Sequence, residues 1–328
     1  MLASVLRGEK FCIEEIEKPV LTTNGAIIKV IGCGLCGSDI VKYTHKLSKD
    51  GAVLGHEVVG EIVEIKGNNE FKTGDIVVAA HHYPCFECNY CKHGNYSMCR
   101  GFKKSNIIPG GFSEYIKVDE NHLKYTVFKI PKNMDIITAS FTEPLSCCYR
   151  AVRRMELLKN DRVGIVGLGS IGVLMGQAAK TFDTTVIGLD IKEERLNVAK
   201  SHGFDEVYLS NKQEKSLNLD AIFLTAGADA SVKTALDNIR DGGKICVFAS
   251  TKSDAPAFPN NEVYYRELTV YGSYSPAPSD LKTSFELLRD NKVNVSNMTK
   301  IYNFDKLNEA ITDTQTGKIL KAFIKVGE

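Results

Sequence analysis

Four cysteines fall within 15 residues: Cys85, Cys88, Cys91 and Cys99, separated by two, two and seven residues. Gly94 and Asn95 can turn the chain inside the longest gap. Four thiolates at this spacing can close around one tetrahedral zinc and leave no open position, so the metal would hold a lobe rather than do chemistry. A bacterial ferredoxin run has three residues before its last cysteine and a proline after it. Here seven residues precede Cys99 and Arg100 follows it, which speaks against an iron–sulfur cluster. A nucleic-acid-binding zinc ribbon is the other rival.

A second pattern carries different chemistry. Gly167, Gly169 and Gly172 stand in the spacing G-x-G-x-x-G. The apolar run Val163-Gly164-Ile165-Val166 before them predicts a buried strand. Ile171, Leu174, Met175 and Ala178 after them predict one face of a helix, and residues 185–189 a second strand ending on Asp190. In this unit Gly167 allows a tight turn, Gly169 lets a pyrophosphate approach the backbone, and Gly172 lets helix and strand pack closely. Ser170 and Ile171 open the helix, whose free amides favour an anion. Asp190 lies 18 residues beyond Gly172, where a carboxylate can accept hydrogen bonds from an adenosine ribose. These residues predict dinucleotide binding, and Asp190 predicts NAD over NADP because it repels a 2′-phosphate. Lys192 and Arg195 follow; Arg195 is counted with the cofactor-facing residues, though both also suit a solvent-facing helix start.

The chain around these motifs has 328 residues, enough for about two domains. Hydrophobic residues make up 43% and charged residues 25%, a globular composition. Lys+Arg number 41 and Asp+Glu 40, a formal charge of +1, which gives no global electrostatic reason to bind nucleic acid or an anionic membrane. No apolar run is long enough to span a bilayer, and the first residues lack the pattern of a signal peptide, so the expected location is cytoplasmic. Ten cysteines, partly clustered, then suggest metal rather than disulfides. Cys12, Cys33, Cys147, Cys148 and Cys246 read as packing residues.

The rest of the chain supplies further segments: GCGLCGSD at 32–39, GHEVVGEIVEI at 55–65, GDIVV at 74–78, GGFSEYIKV at 110–118 and TEPLSC at 142–147. A helical pattern over 139–155 is interrupted by Pro144. Taken with the four-cysteine lobe and the glycine fingerprint, in this order and spacing, the chain resembles the zinc-dependent medium-chain alcohol dehydrogenase family over nearly its whole length. The segment Glu143-Pro144-Leu145-Ser146 is similar to the polyol branch, of which sorbitol dehydrogenase is one.

That resemblance implies an α/β chain of two domains. A β-rich, GroES-like catalytic domain would take residues 1–147, with the structural zinc lobe at 85–99, and would be completed by residues 275–328. A Rossmann domain with a doubly wound parallel sheet would take 148–274, with Thr225 at the end of one of its strands. A homo-oligomer, dimer or tetramer, would form through the edge strand near 268–272. The catalytic zinc would be held by Cys36, His56 and Glu143, with Glu57 a ligand in some relatives. Asp39 would orient His56. Ser38 would take the proton of a polar alcohol substrate as its carbon yields hydride to NAD. Many relatives carry a proton-relaying histidine five residues after the zinc cysteine; here that position is Val41, and His45 is a candidate substitute. Lys321 would meet the cofactor pyrophosphate. His81 and Tyr43, with Phe112 and Tyr274, would line the substrate pocket. Alternatives on the same chemistry are threonine-like amino alcohols, small secondary alcohols, or sugar-alcohol phosphates bound by the basic run Arg100 to Lys104. A non-enzymatic dinucleotide sensor is the remaining alternative.

Overall fold

The computed structural model describes residues 1–45, 47–67, 70–213, 215–249 and 258–327. The chain divides into two compact units. One comprises Met1–Pro144, Pro276–Asn291 and Val295–Glu328; the other comprises Leu145–Ser275 and Lys292–Asn294.

The first unit is built on a seven-stranded sheet. Its central strand, Gly25–Gly34, carries the β-branched run Ile27-Ile28-Lys29-Val30-Ile31 and pairs antiparallel with Glu57–Lys66 on one side and Lys321–Lys325 on the other. Ile76–Ala79 and Val127–Lys129 continue the sheet beyond Glu57–Lys66, Thr299–Asn303 lies outside Lys321–Lys325, and Tyr115–Asp119 pairs with the other half of Gly25–Gly34. Ala26, Ile28, Val58, Ile62, Val77, Phe112 and Ile116 fill a single core on this sheet. Phe112 is fully buried there, so it packs the core rather than lining a pocket.

The antiparallel pairing fixes where side chains emerge. The C-terminal end of Gly25–Gly34 lies beside the N-terminal ends of both neighbours, with Gly34 opposite Glu57 and opposite Phe323. Residues at these three strand ends must converge.

The second unit is a six-stranded, wholly parallel sheet. Its order is Glu206–Leu209, Thr185–Asp190, Arg162–Val166, Leu219–Leu224, Ile239–Val247, Thr269–Gly272. This 3-2-1-4-5-6 order is the doubly wound dinucleotide-binding arrangement. Ile187, Leu189, Ile222 and Ile245 are fully buried in it, as a parallel sheet covered on both faces requires.

The helical pattern over 139–155 resolves into two helices, Ile136–Ser140 and Thr142–Met155, with the break at Phe141 rather than at Pro144. Pro144 is the third residue of the second helix, where no amide has an intrahelical partner and its missing N–H removes nothing.

Gly172 shows why the fingerprint needs glycine. A Cβ there would overlap the carbonyl oxygen of Gly167, which itself turns through φ 98°. Gly172→Ala should cost about 1–3 kcal/mol of stability from this overpacking. A lowered unfolding midpoint in calorimetry, with weakened NAD binding by titration, is the expected result.

Candidate active site

Cys36 follows the end of Gly25–Gly34 and caps the helix Gly37–Thr44. Its sulfur accepts the Ser38 amide at 3.5 Å, and Asp39 reciprocates by accepting the Cys36 amide on Oδ2 at 3.2 Å. This is a capping box with sulfur in place of the usual hydroxyl. The other Asp39 oxygen accepts the Gly55 amide at 3.4 Å and lies 3.3 Å from Nδ1 of His56. Asp39 and His56 are both buried. With Nδ1 turned to a carboxylate, Nε2 is the nitrogen left free to ligate. Burial works against the Asp39 charge, but the His56 charge and hydrogen bond outweigh it and hold the carboxyl below its ordinary range. Burial likewise opposes a charged His56, and the Asp39 and Cys36 charges reverse that, raising it well above the usual imidazole value.

Glu57 opens its strand beside Gly34 and is fully inaccessible to solvent. Lys321, the first residue of Lys321–Lys325, places Nζ 2.6 Å from Oε1 and 2.5 Å from Oε2. The Oε1 contact is a hydrogen bond. The Oε2 contact lacks hydrogen-bond geometry, and that buried oxygen has no hydrogen-bond partner. Burial lowers the Lys321 affinity for its proton, but Glu57 and Cys36 more than compensate. A Cβ at Gly34 would overlap Glu57 Oε2, so only glycine leaves room for this carboxylate.

Cys36 Sγ, a His56 ring nitrogen and a Glu57 oxygen all lie within 4.8 Å of one another. Thiolate, imidazole and carboxylate at that separation suit one zinc with a position left open. Glu143 is buried in the first turn of Thr142–Met155 and its charge reaches Lys321, but it lies outside this group of three. The structure therefore groups Glu57, rather than Glu143, with the cysteine and histidine, because the register sets Glu57 against Gly34.

The second metal group is the four-cysteine lobe. Sulfur separations are 3.4 Å for Cys85–Cys99, 3.6 Å for Cys88–Cys91 and 4.0 Å for Cys85–Cys91, close to the roughly 3.8 Å edge of a zinc–thiolate tetrahedron. None of the ten cysteines, all of them described, forms a disulfide.

In the second unit, Asp190 ends its strand with Oδ2 accepting the Leu168 amide at 2.7 Å and Oδ1 accepting the Lys192 amide at 2.9 Å. Each oxygen keeps a second lone pair for a ribose hydroxyl. Ser170 and Ile171 begin the helix Ser170–Lys180. Gly169 caps it with no side-chain bond and with open space where a Cβ would point. The Thr225 hydroxyl lies 2.5 Å from the Gly167 carbonyl and 3.0 Å from that of Val166, so it holds the glycine turn in shape. Arg195 lies half-buried in the first turn of Glu193–Ser201.

Two expected contacts are revised. The Lys321 ammonium is buried on Glu57, so its charge is committed to that carboxylate and not to a pyrophosphate. Tyr43 stacks on Phe11 and its hydroxyl donates to the Glu9 carbonyl, which leaves only its acceptor lone pairs for a substrate hydroxyl. His81 does reach the site: its ring centroid is 4.5 Å from that of His56, and its Nδ1 is buried with no partner. Burial, with the His56 charge beside it, pushes its pKa well below the usual value, so it is neutral at pH 7. Tyr274 belongs to the second unit and is exposed. His45 is exposed at the C-cap of Gly37–Thr44. Sequence reading missed His82 and His122, which contact His81, and Ser105, whose carbonyl faces His82; none carries a local motif.

Comparison with known proteins agrees with this geometry. Residues 22–132 match the alcohol dehydrogenase GroES-like domain, and residues 170–290 match the zinc-binding dehydrogenase domain. Sorbitol dehydrogenase of Halalkalibacterium halodurans is 30% identical over 96% of this chain and 95% of its own. D-arabitol-phosphate dehydrogenase of Enterococcus avium is 30% identical over 95% and 92%. The crystal structure of galactitol-1-phosphate dehydrogenase from Escherichia coli superimposes with a TM-score of 0.84 at 25% identity, covering 99% of each chain. The site and fold are those of a zinc-dependent dehydrogenase that works with a nicotinamide cofactor. The chain belongs to the zinc-type alcohol dehydrogenase family, in its polyol branch.

Two zinc ions per chain are expected by elemental analysis. Asp39→Asn should weaken retention of one of them about 10–100-fold by freeing the His56 ring. Cys99→Ser should lose the other and leave the first in place. Equal loss of both ions in either variant contradicts the assignment.

Proposed function

We propose that this chain oxidises a polyol or sugar-like secondary alcohol reversibly with NAD, using Cys36, His56 and Glu57 to hold its catalytic zinc. The observation that carries this reading is the convergence of half-buried Cys36 with buried His56 and Glu57, with the His81 ring packed on His56. When bound, zinc supplies Lewis acidity toward an alcohol oxygen, and the nicotinamide supplies the hydride acceptor.

The chain's own residues do the rest. Asp39 keeps His56 in one tautomer and orientation. Lys321 balances Glu57 so that a carboxylate can be buried there at all. Ser38, in the first turn of its helix, accepts the proton that the alcohol loses. Ser38 is exposed, so it can pass that proton straight to water. This removes the need for a histidine at Val41. His45 sits seven residues further along the same helix, roughly 10 Å away, too far for a direct hydrogen bond. Asp190 holds the adenosine ribose and disfavours a 2′-phosphate. His81 takes a second substrate hydroxyl; a neutral imidazole both donates and accepts, as a hydroxyl does.

The two contact-based units support a catalytic domain over 1–147 and 275–328 and a cofactor domain over 148–274. Assembly into a homo-oligomer fits Thr269–Gly272, which ends the parallel sheet as an edge strand. Ten cysteines without a disulfide among them suit a reducing, cytoplasmic setting. Among the described residues no helix is long and apolar enough to cross a membrane.

NAD reduction followed over a panel of polyols, sugars, sugar-alcohol phosphates and amino alcohols tests the reading. Polyols should give the highest kcat/KM. NADP should serve at least about 100-fold less well than NAD, the size of a like-charge clash at Asp190 of a few kcal/mol. Comparable kcat/KM with both cofactors sinks the Asp190 assignment. His45→Ala should leave rate and pH profile unchanged; a slowed variant restores His45 as the relay.

A further inference from the structure

Beyond His56 the aromatic rings continue in a row. His81, His82 and Phe102 follow at centroid separations of 4.5, 3.9 and 4.9 Å, each tilted by 43–48° on the last. His82 is the middle ring between the site and the four-cysteine lobe. Its Nδ1 faces the carbonyl oxygen of Ser105. A carbonyl only accepts, so Nδ1 carries the proton. Burial pushes the His82 pKa down to about 4, so at pH 7 the ring is neutral and this is its single N–H.

Ser105 strengthens the same junction. Its hydroxyl oxygen accepts the Tyr83 amide at 3.0 Å and lies 3.0 Å from the carbonyls of Tyr83 and Phe102. Phe102 is buried against Cys91 and Cys99. Residues 82 and 83 are thus latched to the segment that leaves the lobe. On the other side, Nε2 of His122 lies 3.1 Å from the His81 carbonyl, and its Nδ1 lies 3.0 Å from Asp119. Asp119 also accepts the Tyr83 hydroxyl at 2.6 Å. The His81 main chain is held, but its own Nδ1 has no bond. What fixes the ring is packing between His56 and His82.

We propose that His82 is a positioning residue for substrate recognition: anchored to Ser105 and stacked on Phe102, it holds the His81 ring where it meets a second hydroxyl of the substrate. This rests on the reading of His81 given above. A second hydroxyl exists only on a polyhydric alcohol, so His82 sets the preference for polyols over monohydric alcohols without touching either.

The test compares the zinc-loaded wild type with His82→Ala, His82→Phe, which keeps the ring, and His82→Asn, which keeps a donor near the place of Nδ1. The best polyol of the panel and 2-butanol are assayed at saturating NAD. His82→Ala should lower kcat/KM for the polyol about ten- to a hundredfold, mainly through KM, as expected for a misplaced binding group, and leave 2-butanol within about twofold. His82→Phe and His82→Asn should each recover part of the loss. Equal loss on both alcohols, or no loss, overturns the proposal.

An independent readout uses 15N-histidine-labelled protein. The His81 ring resonances should shift and broaden in His82→Ala while those of His45 and His202 stay in place. Unchanged His81 resonances overturn the proposal whatever the kinetics. If the wild type oxidises no alcohol, the polyol reading fails, and the resonances alone decide whether His82 positions His81.

Discussion

A buried ion pair between Glu57 and Lys321 is the interaction on which the first unit's chemistry depends. Both side chains are nearly inaccessible, 0% and 6% exposed. Taking each ion out of water costs several kcal/mol, and removing one partner of such a pair typically costs about 3–5 kcal/mol because the other is left uncompensated. The pair therefore specifies more than it stabilises. Lys321 and Glu57 start the two strands that flank the end of Gly25–Gly34. A one-residue slip of either strand would turn one charge to the opposite face of the sheet. Such a slip strands two buried charges, so the pair selects the register that also brings His56 and Cys36 to the same edge.

Charge balance then explains the demand for a metal. Three acidic groups, half-buried Cys36 and buried Asp39 and Glu57, face His56 and Lys321. Lys321 neutralises one of them. The remaining acidic groups, Cys36 and Asp39, both adjoin His56. A divalent cation held by the thiolate, the neutral imidazole and the carboxylate answers their charge better than a single proton. Asp39 contributes from behind. One carboxylate closes a helix cap, holds the Gly55 amide and orients His56, so helix start and ligand geometry share one residue.

The lobe and the glycine fingerprint were legible in the sequence because both are local. Four cysteines within 15 residues, or three glycines before a helix, bring their geometry with them. The doubly wound sheet came with the family resemblance, and the parallel order of the second unit agrees with it. The catalytic group was legible only by resemblance, and its details escaped. Glu57 and Lys321 are 264 residues apart, and nothing in either neighbourhood announces the pairing. The resemblance offered both Glu57 and Glu143 to the zinc, and neither the grouping of Glu57 with Cys36 and His56 nor the contact of Lys321 with Glu57 could be read from spacing. The contacts of Tyr43 were not legible either: its hydroxyl donates to the Glu9 carbonyl, 34 residues away. His82 and His122 were invisible because a lone histidine carries no spacing signal.

The neutrality of His81 bears on what the site can recognise. Its burial, and the positive charge at His56 that a bound zinc would replace with a larger one, keep a second cation from forming there. A carboxylate or phosphate on the substrate gains little from a neutral ring, and the buried ammonium nearby is already paired with Glu57. A hydroxyl gains fully, since one imidazole nitrogen donates and the other accepts. A site that offers such a group also rejects substrates that cannot use it, because the buried nitrogen is then left unpaired. Discrimination by an unpaired polar atom works only while the atom stays in place. The ring row from His56 to Phe102 therefore belongs to recognition as much as to packing.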